Sequence, residues 1–305
     1  MNSTPTGIAI VAPSGYTLDD QALARGIARL EALGHTVRNY FDTAKVFQRF
    51  GGADEARLAQ LYAAADDPQV QVVMALRGQY GLTRLLPQID FDRMAASGKI
   101  FVGFSDFTAF QMALLAKTGA LSYAGPMLVP DFAPRELEPF TIDDFFQCLT
   151  SSTHRISQSA SGNPTLNVHG TLWGGNLAMI NSLLGTEYFP KIDDGILFVE
   201  DVNEHPYRVE RLLLQLMQSG VLARQKALIL GDFSAYTITP VDNGYDFNAM
   251  LAYLRKTLPC PVLTGLQFGH GRRRVTLPFG ARADLWSDAA HFELTISGYP
   301  SLANA

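Results

Sequence analysis

Cysteine is nearly absent. The 305-residue chain has 2, Cys148 and Cys260, too few and too far apart for a disulfide framework or a thiolate metal cluster. Each reads as a small buried apolar side chain. Charge is sparse, at 17% of residues with a formal net charge of -5, and there is no extended basic tract. Nucleic-acid binding needs a basic stripe, so nucleic acid is not expected as a partner. No apolar run reaches the length that spans a bilayer, which leaves no membrane segment. Residues 7–12 are apolar but stop at Pro13-Ser14-Gly15, too short for the core of a secretory signal. The expectation is a soluble intracellular protein, cytoplasmic if bacterial. What the chain has in quantity is apolar side chains, 47% of residues, in a length that suits one large domain or two ordinary ones.

Two halves are patterned differently. In the first, short apolar strands (residues 7–12, 35–40, 70–76, 99–102 and 121–124) alternate with helical stretches at 18–33, 54–66 and 107–117. Near-continuous apolar strands separated by helices predict a parallel sheet covered on both faces. Ligands bind such sheets at the carboxyl ends of the strands. The loops expected to share that edge are 13–17, 77–82, 104–106 and 125–130. Ser, Thr, Gly, Asn and Pro dominate residues 151–167, which read as a linker with room for one strand. The second half offers helices at 177–184, 207–219 and 247–258 and strands at 195–200, 227–230, 261–263, 275–277 and 291–296. It reads as lacking regular βαβ units. The fold class predicted is therefore α/β: a parallel-sheet domain over 1–150, the linker at 151–167, and an α+β domain over 168–305.

One stretch of the first half carries chemistry. Ser105 lies between the strand ending at Val102 and the helix beginning at Phe107, in the pattern Gly103-x-Ser105-x-Phe107. A serine in so tight a strand-to-helix turn is pushed clear of the sheet edge, as in a nucleophile elbow. The helix behind it favours an oxyanion at its N-terminus. The bland alternative is that Ser105 or Asp106 caps the helix. Ser14 also follows a strand, but Pro13-Ser14-Gly15 is ordinary turn chemistry.

A serine hydroxyl needs a base, and the base an orienting carboxylate. Of the 6 histidines, His270 is preferred, because Gly269 and Gly271 let its backbone approach a ligand. His205 precedes a helix and suits capping. His35, His154, His169 and His291 lie in strands, the linker or a Gly-rich turn, and a turn role remains the alternative for His270. Glu200 ends an apolar strand and is the preferred acid. Asp201 and Glu204 compete with it, and pairing with Arg208 or Arg211 is the alternative role.

Seven segments together resemble the bacterial LD-carboxypeptidases (muramoyltetrapeptide carboxypeptidases), a family of serine peptidases. They are Ala12-Pro-Ser-Gly15, Leu76-Arg-Gly-Gln-Tyr-Gly81, Gly103-Phe-Ser-Asp-Phe-Thr108, Ser122-Tyr-Ala-Gly-Pro-Met127, Gly170-Thr-Leu-Trp-Gly-Gly-Asn-Leu177, Glu200-Asp-Val-Asn-Glu-His-Pro-Tyr-Arg208 and Phe268-Gly-His270. The resemblance covers nearly the whole length. It implies a flavodoxin-like or amidotransferase-like first domain and a swivelling second one, with the site between them. It implies Ser105 as nucleophile, Glu200 as orienting acid and His270 as base. Backbone N–H groups of Asp106 and of Gly78 or Gln79 would form the oxyanion hole. It implies no metal or cofactor, a murein tetrapeptide substrate in free, sugar-linked or nucleotide-linked form, and a cytoplasmic homodimer. Gln79 departs from the family's Arg-Gly-Gly-Tyr-Gly turn, and positive φ there would strain it. Arg77 and the run Arg272-Arg273-Arg274 are candidates to grip a terminal carboxylate. Two other readings stand beside this one: a microcin self-immunity-type peptidase cleaving a peptidyl-nucleotide, and a two-domain binding protein without chemistry.

Overall fold

The computed structural model describes residues 5–304. Its strands are β1 (Gly7–Val11), β2 (Thr36–Asn39), β3 (Val72–Ala75), β4 (Ile100–Gly103), β5 (Ser122–Ala124), β6 (Thr153–Ser159), β7 (Leu166–Asn176), β8 (Gly195–Val202), β9 (Gln225–Ser234), β10 (Val262–Thr264), β11 (Leu277–Phe279), β12 (Arg282–Ser287) and β13 (His291–Ser297). Its α-helices are α1 (Asp20–Ala32), α2 (Asp54–Asp66), α3 (Phe91–Ala96), α4 (Thr108–Thr118), α5 (Pro139–Leu149), α6 (Leu177–Ser182), α7 (Pro206–Gln218) and α8 (Phe247–Thr257).

The strands form two sheets, and the α/β class predicted from sequence holds. The first is 6-stranded, in the order β11-β5-β4-β3-β1-β2. Every residue of β1, β3, β4 and β5 is buried, as expected of parallel strands covered on both faces. The order β2-β1-β3-β4-β5 is the flavodoxin-like one. Short polar caps begin two of the helices between the strands: Asp19 accepts from the Ala22 N–H ahead of α1, and Asp90 from the Arg93 N–H ahead of α3. Helix α4 is buried from Thr108 to Leu114 and stops at Gly119, which takes the left-handed conformation (φ 73°).

The second sheet is 7-stranded, in the order β10-β9-β8-β7-β12-β13-β6. It is mixed: β7, β8, β9 and β10 run parallel, while β12, β13 and β6 are antiparallel. The reading that this half lacks βαβ units is corrected here. Helices α6, α7 and α8 connect the four parallel strands in turn. The glycines of β7 hid its strand character. A Cβ on Gly174 would lie 1.8 Å from the Phe198 carbonyl oxygen of β8, so the strand needs the residue that otherwise signals a turn.

Two elements also pair in sheets outside the sequence segments that hold them. Part of the stretch read as a linker is β6, an alternating strand with His154, Ile156 and Gln158 buried, paired along β13. From the rear half of the chain, β11 joins the first sheet, antiparallel to β5. Between β10 and β11 the chain therefore passes from one sheet to the other, carrying His270 with it. The apolar residues beneath both sheets form one continuous core.

Candidate active site

Three of the loops expected to share one sheet edge meet, with residues 77–79, 104–105, 127 and 129–130 lining a common cavity. β4 ends at Gly103, Phe104 is extended, and Ser105 has φ 62°, in the left-handed region that serine rarely occupies. The chain then turns through residues 105–107 directly into α4. This is the elbow anticipated from sequence, with the hydroxyl half-buried at the rim.

His270 comes from the crossing segment between the sheets. Its Nε2 lies 3.1 Å from Ser105 Oγ, and its Nδ1 lies 2.6 Å from Glu200 Oε2. Glu200, near the end of β8, is fully buried. Its other oxygen accepts from Asn176 Nδ2 at 3.2 Å. The predicted serine, histidine and glutamate are thus one hydrogen-bonded line reaching from the first sheet to the second. A bound proton on His270 Nδ1 would face the carboxylate, which leaves Nε2 free to accept from the serine hydroxyl.

Close backbone contact brings the two sheets together. Thr108, at the start of α4, accepts from the Asn176 N–H through Oγ1 at 3.1 Å. A Cβ on Gly175 would lie 2.5 Å from that same oxygen, so only glycine allows the approach. Asn176 then does three things: its Nδ2 reaches Glu200 and Asp201, and its Oδ1 caps α6 at the Met179 N–H. Asn176 stands inside the Gly170–Leu177 motif without a role assigned to it from sequence. Its position three residues before a helical N–H was the signal available.

Asp201 and Glu204, the competing acids, are engaged elsewhere. Asp201 accepts from Asn176 and from the Ala178 and Val202 N–H groups. Burial beside Glu200 pushes its carboxyl up to about 6. Glu204 lies 3.9 Å from Arg208. Asp232 completes the acidic floor behind the His270 loop; burial, then the Glu200 charge, raises it to about 6. Among the histidines, His205 caps α7 as anticipated. His154 pairs with Asp144 at 3.2 Å, and His35 stacks on Phe146.

Asp106 is an anchor through its side chain. Its side chain is buried, and Oδ2 accepts from Ser14 Oγ at 2.6 Å and from the Leu82 N–H at 2.9 Å. Burial raises its carboxyl to about 6, against hydrogen bonds that lower it. Ser14, the rival nucleophile, is 1% exposed and committed to this contact.

The turn after β3 lies directly against the elbow. A Cβ on Gly78 would stand 2.7 Å from Ser105 Cβ and 2.8 Å from its Oγ. Gln79 has φ 71°, the positive value that the departure from glycine put in question. Gln79 packs over Gly15, whose N–H donates to the Gly78 carbonyl at 3.1 Å. Buried Arg57 holds the turn from below, donating to the Pro13 and Gly81 carbonyls and pairing with Asp54. An arginine on the helix α2 surface pattern gave no sign of that role.

Ser105 and His270 open onto a cavity of about 470 Å³, lined also by Arg77, Gly78, Gln79, Met127, Val129 and Asn203. Arg77 is half-buried there and donates to the Tyr16 carbonyl at 3.1 Å. The Arg272–Arg274 run is not one face. Arg272 reaches the Glu136 carbonyl, Arg273 lies over Phe140, and Arg274 is buried against Asp131. With Arg274 2% exposed, it has no path to a substrate carboxylate. Both cysteines are free and buried.

A fully buried acid bound to an imidazole that reaches a strained, rim-exposed serine is the arrangement of a serine hydrolase. The family models agree on the class: the LD-carboxypeptidase N-terminal domain matches residues 8–125, and the LD-carboxypeptidase C-terminal domain matches residues 169–285. The chain belongs to the LD-carboxypeptidase family of serine peptidases. It is similar to the murein tetrapeptide carboxypeptidase of Pseudomonas aeruginosa, at 29% identity over 287 residues, covering 91% of this chain and 92% of the relative. The crystal structure of muramoyltetrapeptide carboxypeptidase from Oxalobacter formigenes is 52% identical, with a TM-score of 0.94 over 97% of this chain and 100% of that one. The microcin C7 self-immunity protein MccF of Escherichia coli is 26% identical over 302 residues, covering 89% of this chain and 87% of that protein. Among the described residues, no helix is long and apolar enough to cross a membrane.

Proposed function

We propose that this chain is a serine LD-carboxypeptidase that releases the terminal D-alanine from murein tetrapeptides in peptidoglycan recycling. The observation that carries this reading is the line from Ser105 Oγ through His270 to buried Glu200, at 3.1 and 2.6 Å. In this reading His270 Nε2 takes the Ser105 proton as Oγ attacks the carbonyl that holds D-alanine. Glu200 keeps the imidazole in the needed tautomer and stabilises its cation. The oxyanion forms between the Asp106 N–H and an N–H of the Gly78-Gln79 turn, each such donor typically lowering the barrier by about 2.7–4 kcal/mol. His270 then returns its proton to the leaving amine, and water attacks the acyl-serine by the same route. Arg77, the cationic side chain in the cavity lining, is the group we assign to the terminal carboxylate.

Cytoplasmic location and a homodimeric state belong to this reading as what the family resemblance implies. The division into a front domain to residue 150, a connecting stretch to 167 and a rear domain beyond it is likewise our reading, with β11 returning to the front sheet. The similarity to MccF supports a second reading, cleavage of a peptidyl-nucleotide at the same serine. D-alanine release from L-Ala-γ-D-Glu-meso-diaminopimelate-D-Ala decides between them, run beside a peptidyl-nucleotide and a plain L-peptide. The proposal expects turnover of the tetrapeptide, lost in Ser105→Ala. Turnover that survives this substitution removes Ser105 as nucleophile. Tight binding without any turnover makes the chain a binding protein.

A further inference from the structure

Arg274 has its guanidinium sealed inside the protein, beside the reaction centre but out of reach of any substrate. Its Nε and Nη2 donate to the Gly269 carbonyl at 3.1 and 2.8 Å, and Nη2 also donates to the Gly271 carbonyl at 3.0 Å. Those two carbonyls bracket His270. The third nitrogen, Nη1, pairs with Asp131. Asp131 belongs to the turn after β5 in the first sheet, where its Oδ2 is fixed by the Met127 N–H at 2.8 Å. The guanidinium plane also lies 3.9 Å from the centre of the Phe104 ring. Phe104 precedes Ser105, and its ring meets the His270 imidazole edge-on at 5.2 Å. One planar cation thus touches the carbonyls of both glycines that flank the base, the residue before the serine, and an acid on the segment that follows β5 of the serine's own sheet.

We infer that Arg274 is a positioning residue for catalysis: it fixes the His270 loop against the Ser105 elbow across the junction of the two sheets. This rests on the serine-peptidase reading above. The segment that carries His270 spans from β10 to β11 without regular structure, so its position depends on such side-chain contacts. Stability alone is a poor explanation of the arrangement, since a buried ion pair adds little over apolar packing of the same volume. A rigid fork donating to two carbonyls one residue either side of His270, stacked on an aromatic face, is something arginine does and lysine cannot reproduce. Nothing in the arrangement contacts substrate, so its loss should reach the rate and spare binding.

The test uses the full-length protein with Arg274→Met, Arg274→Lys and Asp131→Asn. Two rates are read on folded protein: kcat and KM for D-alanine release, and the rate at which a fluorophosphonate labels Ser105. Misplacing a reacting group by about 1 Å can cost about 100-fold in rate. Arg274→Met is expected to lose about that factor in kcat and in labelling, with KM within about twofold of native. Arg274→Lys and Asp131→Asn should lose about tenfold in both rates. A merely structural arginine would lower the melting temperature and leave both rates of the folded fraction native, which overturns the inference. So does a loss confined to KM. If Arg274→Met does not fold, native labelling rates in the other two variants overturn it equally. Ser105→Ala is run alongside: turnover by that variant means the serine-peptidase reading has failed, whereas its inactivity beside native rates in the Arg274 variants means that only the positioning role has.

Discussion

Glu200→Gln is the substitution that separates a working triad from three side chains that happen to touch. It keeps the size and shape of a fully buried group. It changes what Glu200 offers to its two neighbours, His270 Nδ1 at 2.6 Å and Asn176 Nδ2 at 3.2 Å. A carboxylate accepts from both. An amide has one acceptor and one donor end. With its NH2 toward His270, it forces the proton onto Nε2, and the imidazole no longer accepts from Ser105. With its oxygen toward His270, its NH2 faces the Asn176 amide donor and one buried hydrogen bond is lost. The wrong tautomer in a triad costs a factor of about 10⁴ in kcat. At 1.36 kcal/mol per tenfold, that is about 5 kcal/mol of barrier. The lost hydrogen bond costs about 1–3 kcal/mol of stability, which a domain of ordinary stability survives. The assay is kcat for D-alanine release at saturating tetrapeptide, with a thermal melt of the same sample. A folded Glu200→Gln enzyme that keeps kcat within about tenfold of native and also melts as native protein does would refute the tautomer role.

Three further outcomes follow from local geometry. Gly78→Ala places a methyl 2.8 Å from Ser105 Oγ, so kcat should fall at least about tenfold while the melting temperature changes little; native kcat would mean the turn is not packed on a reacting Ser105. Gln79→Gly relieves a left-handed conformation (φ 71°) that costs a side chain about 1–2 kcal/mol. It also frees the unfolded chain by about 0.4–1 kcal/mol, so denaturant unfolding should show a gain of about 0–1.6 kcal/mol, and a clear loss would contradict that conformation. Asp106→Asn keeps an acceptor for Ser14 and Leu82 and removes a buried charge. The folded-state carboxyl is raised from 3.8 to about 6, so the native state holds more protons than the unfolded one between those values, and this group's contribution falls as pH rises through them. The variant should therefore gain on native protein from the lower pH to the upper, by as much as about 3 kcal/mol, and stay level above; a difference independent of pH would show that Asp106 is ionised throughout.

The strand–Ser105–helix pattern was readable because it combines three local signals: an apolar run, a tight turn and a helix. The flavodoxin-like order was readable from the alternation of strands and helices. The rear half was harder. Its Gly174-Gly175 pair looks like a turn, yet it lies inside β7, where Phe198 and Thr108 leave no room for side chains. The crossing of β11 into the first sheet has no local signature, because three residues pairing with β5 is a matter of long-range register. From residues alone, His270 was one histidine between glycines, and only the family resemblance set it opposite Ser105. Buried charge was the least legible feature. Arg57, Asp106 and Arg274 are polar letters that composition assigns to the surface, and each is sealed under the site by partners distant in sequence.

The most direct test of the whole account is fluorophosphonate labelling of the intact enzyme followed by peptide mapping. The account predicts one adduct, on Ser105, whose formation stops in His270→Ala. An adduct on Ser14, or full D-alanine release from protein whose Ser105 is quantitatively blocked, would contradict it.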